Sequence, residues 1–387
     1  MALGIIIPVL PALIAGFAGS EADAGVWNGI MVALWGGMQF LFSPLIGSLS
    51  DRWGRRPVIL ISALGLSADF ALMALAPDLW WLALGRILGG ITSSSFTVTF
   101  AYMADITPPE RRARAYGWIG AAYSAGFVAG SVLGGLLGGW GPRVPFWTAA
   151  GLALLAFVYG LLVVPESLPR HTRMPFSWRR ANPVGALRLL RSQRDLTGLA
   201  TIYFLIYVAH NVFAAVFVLY AAARFGWSTW AVGLSLALWG VLDVIVQALL
   251  VGPLVKRIGD RATMIWGLAG GALGLVALGL APDTPSFLAA IVLSAAWGLS
   301  MPTIQSLMTR RVSESEQGQL QGANQSVASI ASVAAPIFFG WVYALSVGPS
   351  PAIPVEGAAF IIAGAVLALG VLIGVRAGHE EKASGPN

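Results

Sequence analysis

Cysteine is absent from the 387 residues, so neither a disulfide framework nor a thiolate metal site can form. Histidine is nearly absent too: His171, His210 and His379 stand far apart, without the spacing of metal ligands or of a nucleophile and its base. No catalytic residue, no protein-held metal and no cofactor are therefore expected. The chain contains no GxxxxGK[ST] phosphate loop, which speaks against nucleotide-driven work by this chain alone. Charge is sparse as well. Only 10% of the residues are Asp, Glu, Lys or Arg, against about 25% in soluble domains. The opening run MALGIIIPVLPALIAGF has no basic residue, which argues against a cleaved signal peptide.

What fills the chain instead is apolar. Hydrophobic residues make up 57%, mean hydropathy is +0.78, and there are 47 Gly and 15 Trp. Lipid rather than water is the expected solvent: Gly lets membrane helices approach closely, and Trp favours the headgroup level. Apolar runs bounded by charge or by Pro and Gly place spans near 1–17, 26–47, 57–76, 80–104, 115–138 and 145–164. A second set follows near 197–221, 229–254, 262–281, 286–308, 321–344 and 357–375. The expected fold is all-α and integral to the membrane, with twelve transmembrane helices in two pseudo-symmetric six-helix bundles. Bundle 1–164 is followed by a polar cytoplasmic stretch, 165–196, then bundle 197–375 and a cytoplasmic tail, 376–387. Seventeen residues is roughly the lower limit for crossing a ~30 Å core, so the first helix is expected either to be marginal or to lack its natural start.

Basic residues give an independent test of this division, because Lys and Arg are retained on the cytoplasmic side. With a cytoplasmic start, the loops after spans 2, 4, 8 and 10, the central stretch and the tail hold 20 of the 23 Lys and Arg. Both termini are thus expected in the cytoplasm, and the net charge of +6 reflects topology rather than nucleic-acid binding.

The loop after span 2 reads GSLSDRWGRRP, and its Gly47, Arg52, Gly54 and Arg56 recur as Gly252, Arg257, Gly259 and Arg261 after span 8, at a constant offset of 205. A parallel duplication about an axis along the membrane normal explains the recurrence. Asp51 beside Arg52, Arg55 and Arg56 on a Gly-containing turn forms a set able to bond neighbouring helix ends and latch one face of the protein. The plain alternative, a positive-inside anchor, accounts for the Arg residues but not for Asp51, the two Gly or the second copy.

GSLSDRWGRRP resembles the signature of the major facilitator superfamily, and the likeness extends over most of the chain. The segments PVLP (Pro8 to Pro11), LGRILGGIT (Leu84 to Thr92), AYMADIT (Ala101 to Thr107), GWS with VGLSLALWGVL (Gly226 to Leu242) and EQGQLQG (Glu316 to Gly322) are similar to the drug:proton antiporters. Within that group they look closest to the tetracycline efflux proteins. The resemblance implies antiport across the bacterial inner membrane: efflux of a planar polycyclic drug such as tetracycline, carried as a chelate of a divalent cation such as Mg, in exchange for protons. A multidrug exporter, or a transporter of other small molecules in the same superfamily, is the alternative. The expected partners are drug, protons and membrane lipids, with the monomer as the working unit. Three departures from the family pattern stand out: Gly130-Ser131 where the antiporter signature has Gly-Pro, no counterpart of the family's acid in the first helix, and Gly271 where an acid often lies in the ninth helix.

Three charged residues fall within spans, each costing about 2.5–3.5 kcal/mol on insertion scales. Asp69 and Asp243 are candidates for proton coupling, since a carboxyl shielded from water can take a proton from one side and release it to the other. Arg86 resembles the family's buried Arg of the fourth helix and is a cation able to hold a carboxylate ionised. His210, in a span with Asn211, is a candidate proton carrier. Gln247 follows Asp243 by one turn, and Gln39, Asn211, Gln247 and Gln305 are candidate cavity-lining groups. Phe213, Phe217, Trp239 and Trp297 are aromatics able to stack on a flat ligand. A fixed structural ion pair is the alternative for Arg86, and structural hydrogen bonding or helix packing is the alternative for the others. Gly126, Gly130 and Gly134, four apart, give span 5 a smooth stripe for close helix contact.

Overall fold

The computed structural model describes residues 2–93, 96–108, 112–170, 173, 190, 194–312, 317–348 and 350–383. Most of the central stretch 165–196, including His171, lies outside them, as do Glu316 of the EQGQLQG segment and residues 384–387.

The described residues make twelve helical passes. Helix α1 comes in two pieces, Ala2–Ile6 and Leu10–Phe17, because Pro8 and Pro11 lack the N–H groups that would carry the ladder across 7–9. Then come α2 (Glu21–Trp53), α3 (Arg55–Leu75), α4 (Leu79–Ser93 with Phe96–Ile106), α5 (Arg112–Gly138) and α6 (Val144–Val163). Helix α7 runs from Arg194–Val212 through a π-helical turn, Phe213–Phe217, into Val218–Phe225. Helix α8 runs from Thr229–Ile245 through a second π-helical turn, Val246–Leu250, into Val251–Leu280, and the part of that helix after Gly259, 260–280, is α9. Helix α10 joins Thr284–Ser294 to Ser300–Thr309 through a 3₁₀ turn, Ala295–Leu299. Helices α11 (Gln317–Ser346) and α12 (Ala358–Ala383) complete the set.

Helix lengths follow from the bilayer. Eight of the continuous helical stretches are long and apolar enough to cross a membrane unaided. The 52-residue stretch Thr229–Leu280 would reach roughly 78 Å if straight, more than twice a ~30 Å core, so it has to turn back. Gly259 provides the turn, with φ +82° and ψ 163°. Gly54 performs the same task between α2 and α3 with φ +107° and ψ 161°, so the sequence repeat extends to backbone conformation at a place only glycine tolerates. Helix α2 exceeds the expected span 26–47 at both ends, because apolarity marks the lipid-immersed part while the helix continues into the polar turns.

Two compact units result. The first comprises Met1–Gly19, Ile30–Pro183 and Trp227–Ala237, and the second Ser20–Gly29, Val184–Gly226 and Leu238–Asn387. In the first, α3 packs on α4 and α6, and α1 packs on α5. In the second, α7 packs on α11 and α12, and α9 on α12. Small residues permit these approaches: a β-carbon at Gly134 would fall on the Ile5 backbone, one at Gly357 on Gly279, and one at Gly29 on Pro336. Elsewhere the surface is apolar, with Leu155, Leu162, Trp80 and Trp140 exposed, as a lipid-facing wall requires.

Candidate functional site

In the first unit, the charged pair lies deep among the helices. Asp69 on α3 is 1% exposed and Arg86 on α4 is 7% exposed. Helix α4 makes room for the carboxylate with two glycines a turn apart: a β-carbon at Gly89 would strike Asp69 Oδ2, and one at Gly85 would lie 3.1 Å from Oδ1. Arg86 lies between these glycines in sequence, within Coulombic reach of Asp69, and its guanidinium stands 5.6 Å from the Trp35 ring centre. Among the described residues, Asp69 Oδ1 and Arg86 Nε are both buried without a hydrogen-bond partner. An ionised group in an apolar interior costs several kcal/mol unless a counter-charge or hydrogen bonds meet it, and here each of the two supplies the other's counter-charge.

In the second unit, a cavity of about 190 Å³ opens between α7, α8 and α10. His210, Trp239, Asp243, Gln247 and Trp297 line it, with Tyr207 and Met301. Gln247 Nε2 donates to Asp243 Oδ2 at 2.7 Å, and the other carboxylate oxygen lies against Gly298, where a β-carbon would come within 2.6 Å. His210 sits in an aromatic enclosure, its ring centre 5.7 Å from Trp239, 5.8 Å from Trp297 and 6.3 Å from Phe213. Each contributing helix departs from α geometry beside this cavity. The π turn of α7 follows His210, that of α8 follows Asp243, and the 3₁₀ turn of α10 contains Trp297. Such turns shift side-chain register by a fraction of a turn and free backbone carbonyls, and they recur at functional sites. One set of freed carbonyls is used: Asn28 Nδ2 donates to Ala214 O at 3.1 Å and Ala215 O at 2.6 Å.

The expected cavity residues thus divide. His210, Trp239, Asp243 and Gln247 come together. Phe213 stands behind them against Trp239 at 5.4 Å, Phe217 stacks on Phe213 and Phe287, and Gln305 bonds Tyr203. Asn211 is buried, its amide donating to Tyr207 O at 2.8 Å. Gln39 belongs to the first unit, on α2. Gly271 packs against Trp297, where a β-carbon would lie 2.9 Å from its Cβ and Cγ, so this aromatic occupies the space an acid in α9 would need.

At the α2–α3 turn, Arg55 gathers the charged groups. Its guanidinium reaches Asp51 at 2.6 Å, Ser50 Oγ at 2.6 Å and Asp105, at the end of α4, at 3.1 Å. Glu166 accepts from the Arg55 backbone N–H at 2.8 Å, and Ser167 Oγ donates to Asp105 at 3.0 Å. Arg56 caps Leu161 O at 2.6 Å, Arg52 is exposed, and Gly47 meets open space. Ser50 belongs to the loop itself, whereas Asp105 and Glu166 are participants that the loop's own sequence does not reveal. On α5, Gly130 approaches Gly4 and Gly134 approaches Ile5, while Gly126 is half-buried.

Known proteins place the chain. The profile of the Major Facilitator Superfamily matches residues 1–250 and 199–387. The chain is similar to the tetracycline resistance protein of class C from Escherichia coli, 39% identical over 99% of this chain and 94% of that one. It is also similar to the class G protein from Vibrio anguillarum, 39% identical over 90% and 88%. Among solved structures, the nucleoside transporter NupG superposes with a TM-score of 0.79 at 12% identity, covering 97% of this chain and 95% of that one, a likeness of fold alone. The chain belongs to the Major Facilitator Superfamily, grouping with the tetracycline resistance proteins, and is a multi-pass membrane transporter rather than an enzyme.

Proposed function

We propose that the protein exports a tetracycline-type drug from the cytoplasm across the bacterial inner membrane in exchange for protons, by alternating access with both termini cytoplasmic. The observation that carries this reading is the placement of its two intramembrane acids. Neither Asp69 nor Asp243 faces the apolar outer wall: the first lies beside Arg86, and the second in a cavity with His210, Gln247 and two Trp. Ionisable groups kept from lipid at such cost are retained where they bind and release ions or substrate. Asp69 and Asp243 bind and release the protons, with Arg86 setting the charge opposite Asp69 and His210 a further acceptor. The aromatic enclosure takes the flat ring system by stacking, and Gln247 and the Asp243 carboxylate meet its polar edge. A drug carried as a chelate brings its own divalent cation, as substrate.

Similarity to tetracycline resistance proteins supports the choice of drug. The test is tetracycline uptake into inverted membrane vesicles, energised by a proton gradient with the vesicle interior acidic. Gradient-dependent accumulation is expected, falling by about tenfold or more in Asp69→Asn and Asp243→Asn, which remove a charge worth several kcal/mol in this setting. Absence of accumulation by the unmutated chain overturns the drug assignment. Unimpaired transport by both Asn variants overturns the carboxylate mechanism.

A further inference from the structure

The α2–α3 turn has a counterpart at Gly259, and the two differ in one systematic way. At the offset of 205, Asp51, Arg55 and Asp105 correspond to Lys256, Asp260 and Arg310, so all three positions carry the opposite charge. Geometry is nonetheless retained. Gly54 and Gly259 share positive φ and nearly equal ψ, 161° and 163°. Arg55 Nε meets Asp105 Oδ2 at 3.1 Å, and Arg310 Nη2 meets Asp260 Oδ2 at 3.0 Å. In each unit the residue just after the glycine is held by a residue at the end of the half's fourth helix: Asp105 near the end of α4, Arg310 directly after α10. A charge needed for its own sake, as a positive anchor is, would keep its sign. What both copies keep is the attraction.

We propose that Asp260 and Arg310 form a second conformational latch, reversed in polarity, that fixes the α8–α9 turn to the end of α10 and biases the working equilibrium of the second unit. The pairing, not the sign, is its active feature. This rests on the chain being a transporter and not on which drug it carries. It is the weaker of the two latches. Arg310 is 68% exposed where Arg55 is 11%, so water and salt screen it more, and no ion pair among the described residues joins Lys256 to Asp260 as Asp51 joins Arg55.

The absence of cysteine makes the test clean, because a single introduced thiol is the only one present. With Met301→Cys in the α10 wall of the cavity as reporter, its rate of reaction with a water-soluble maleimide is measured in membranes without any substrate. Asp260→Asn and Arg310→Gln each shift that rate about three- to fivefold in the same direction, the range of a partly exposed pair. Charge reversal, Asp260→Arg or Arg310→Asp, shifts it further, and the swapped pair Asp260→Arg/Arg310→Asp returns it to within about twofold of the reporter parent. Gradient-driven uptake follows the same order. Single reversals that leave the labelling rate unchanged, or a swap no better than the worse single variant, overturn the latch. Should the reversals fail to accumulate in the membrane, the neutral pair decides: a double variant no worse than either single supports the latch, and additive shifts overturn it. Since labelling needs no drug, failure here is distinguishable from failure of the drug assignment.

Discussion

Gly89→Ala places one methyl group where the Asp69 carboxylate lies, since the new β-carbon would strike Oδ2. Backbone freedom is not at issue, because Gly89 is helical and alanine favours helix by about 0.5–1 kcal/mol. Overpacking costs about 1–3 kcal/mol, so the net loss of stability is roughly 0.5–2 kcal/mol. If that energy falls on the state that binds or releases the proton, turnover drops about two- to thirtyfold. The clash is with a side chain rather than backbone, which makes the cause separable. Asp69→Asn keeps the shape and therefore the clash, whereas Asp69→Ala removes it. Purified Gly89→Ala should unfold at lower temperature than its parent, Gly89→Ala/Asp69→Asn should stay destabilised, and Gly89→Ala/Asp69→Ala should regain the loss relative to Asp69→Ala. Gradient-driven uptake and thermal unfolding are read on the same preparations. An unchanged unfolding temperature and transport rate for Gly89→Ala, or a loss that persists undiminished in the Asp69→Ala background, refutes the reasoning.

Arg55→Ala leaves Asp51 and Asp105 facing each other without their cation, at a cost of about 1–3 kcal/mol in this partly exposed setting. Arg55→Lys should recover part of it, one ammonium being unable to serve both carboxylates and Ser50 in fork geometry; thermal unfolding ranks the three. Gly54→Ala should cost more than Gly259→Ala. Both strain positive φ by about 1–3 kcal/mol, but only the β-carbon at Gly54 meets the Glu166 carboxylate. Hydrogen bonds from the Ser286 side chain and backbone hold the Asp283 carboxyl below its usual value of 3.8 at the start of α10. A lowered folded value means its capping contribution is complete above that pH and lost as pH falls through the folded value. The acid-side decline in unfolding temperature should therefore shrink in Asp283→Asn.

Much of the fold was legible because lipid imposes a simple rule: backbone polar groups must be satisfied inside each segment, so apolar length marks helices and basic loops mark their ends. The recurrence at Gly54 and Gly259 was equally legible, since positive φ there admits no other residue readily. What escaped is what depends on partners distant in sequence. Nothing around Arg55 announces Asp105, 50 residues on, or Glu166, 111 residues on. The π turns in α7 and α8 leave no mark in apolar periodicity, because a one-residue excess in a helix apolar on most faces changes no pattern. Asn28, which holds two carbonyls of the α7 turn, looks in sequence like any polar residue near a helix end. The break in α1 is signalled by Pro8 and Pro11, but the uniformly apolar run 1–17 hides it from a reading of hydropathy. Intramembrane charge, by contrast, marked Asp69, Arg86 and Asp243 on cost alone, and the division into two bundles already set the first two apart from the third.

The central claim is that carboxyl groups at Asp69 and Asp243 tie drug movement to proton movement. The most direct measurement compares two activities of the same vesicles: uphill tetracycline uptake driven by a proton gradient, and gradient-free exchange of labelled for unlabelled drug. The account predicts that a variant with Asn at either position loses the first while keeping most of the second. Uphill uptake that survives Asn at both positions contradicts it.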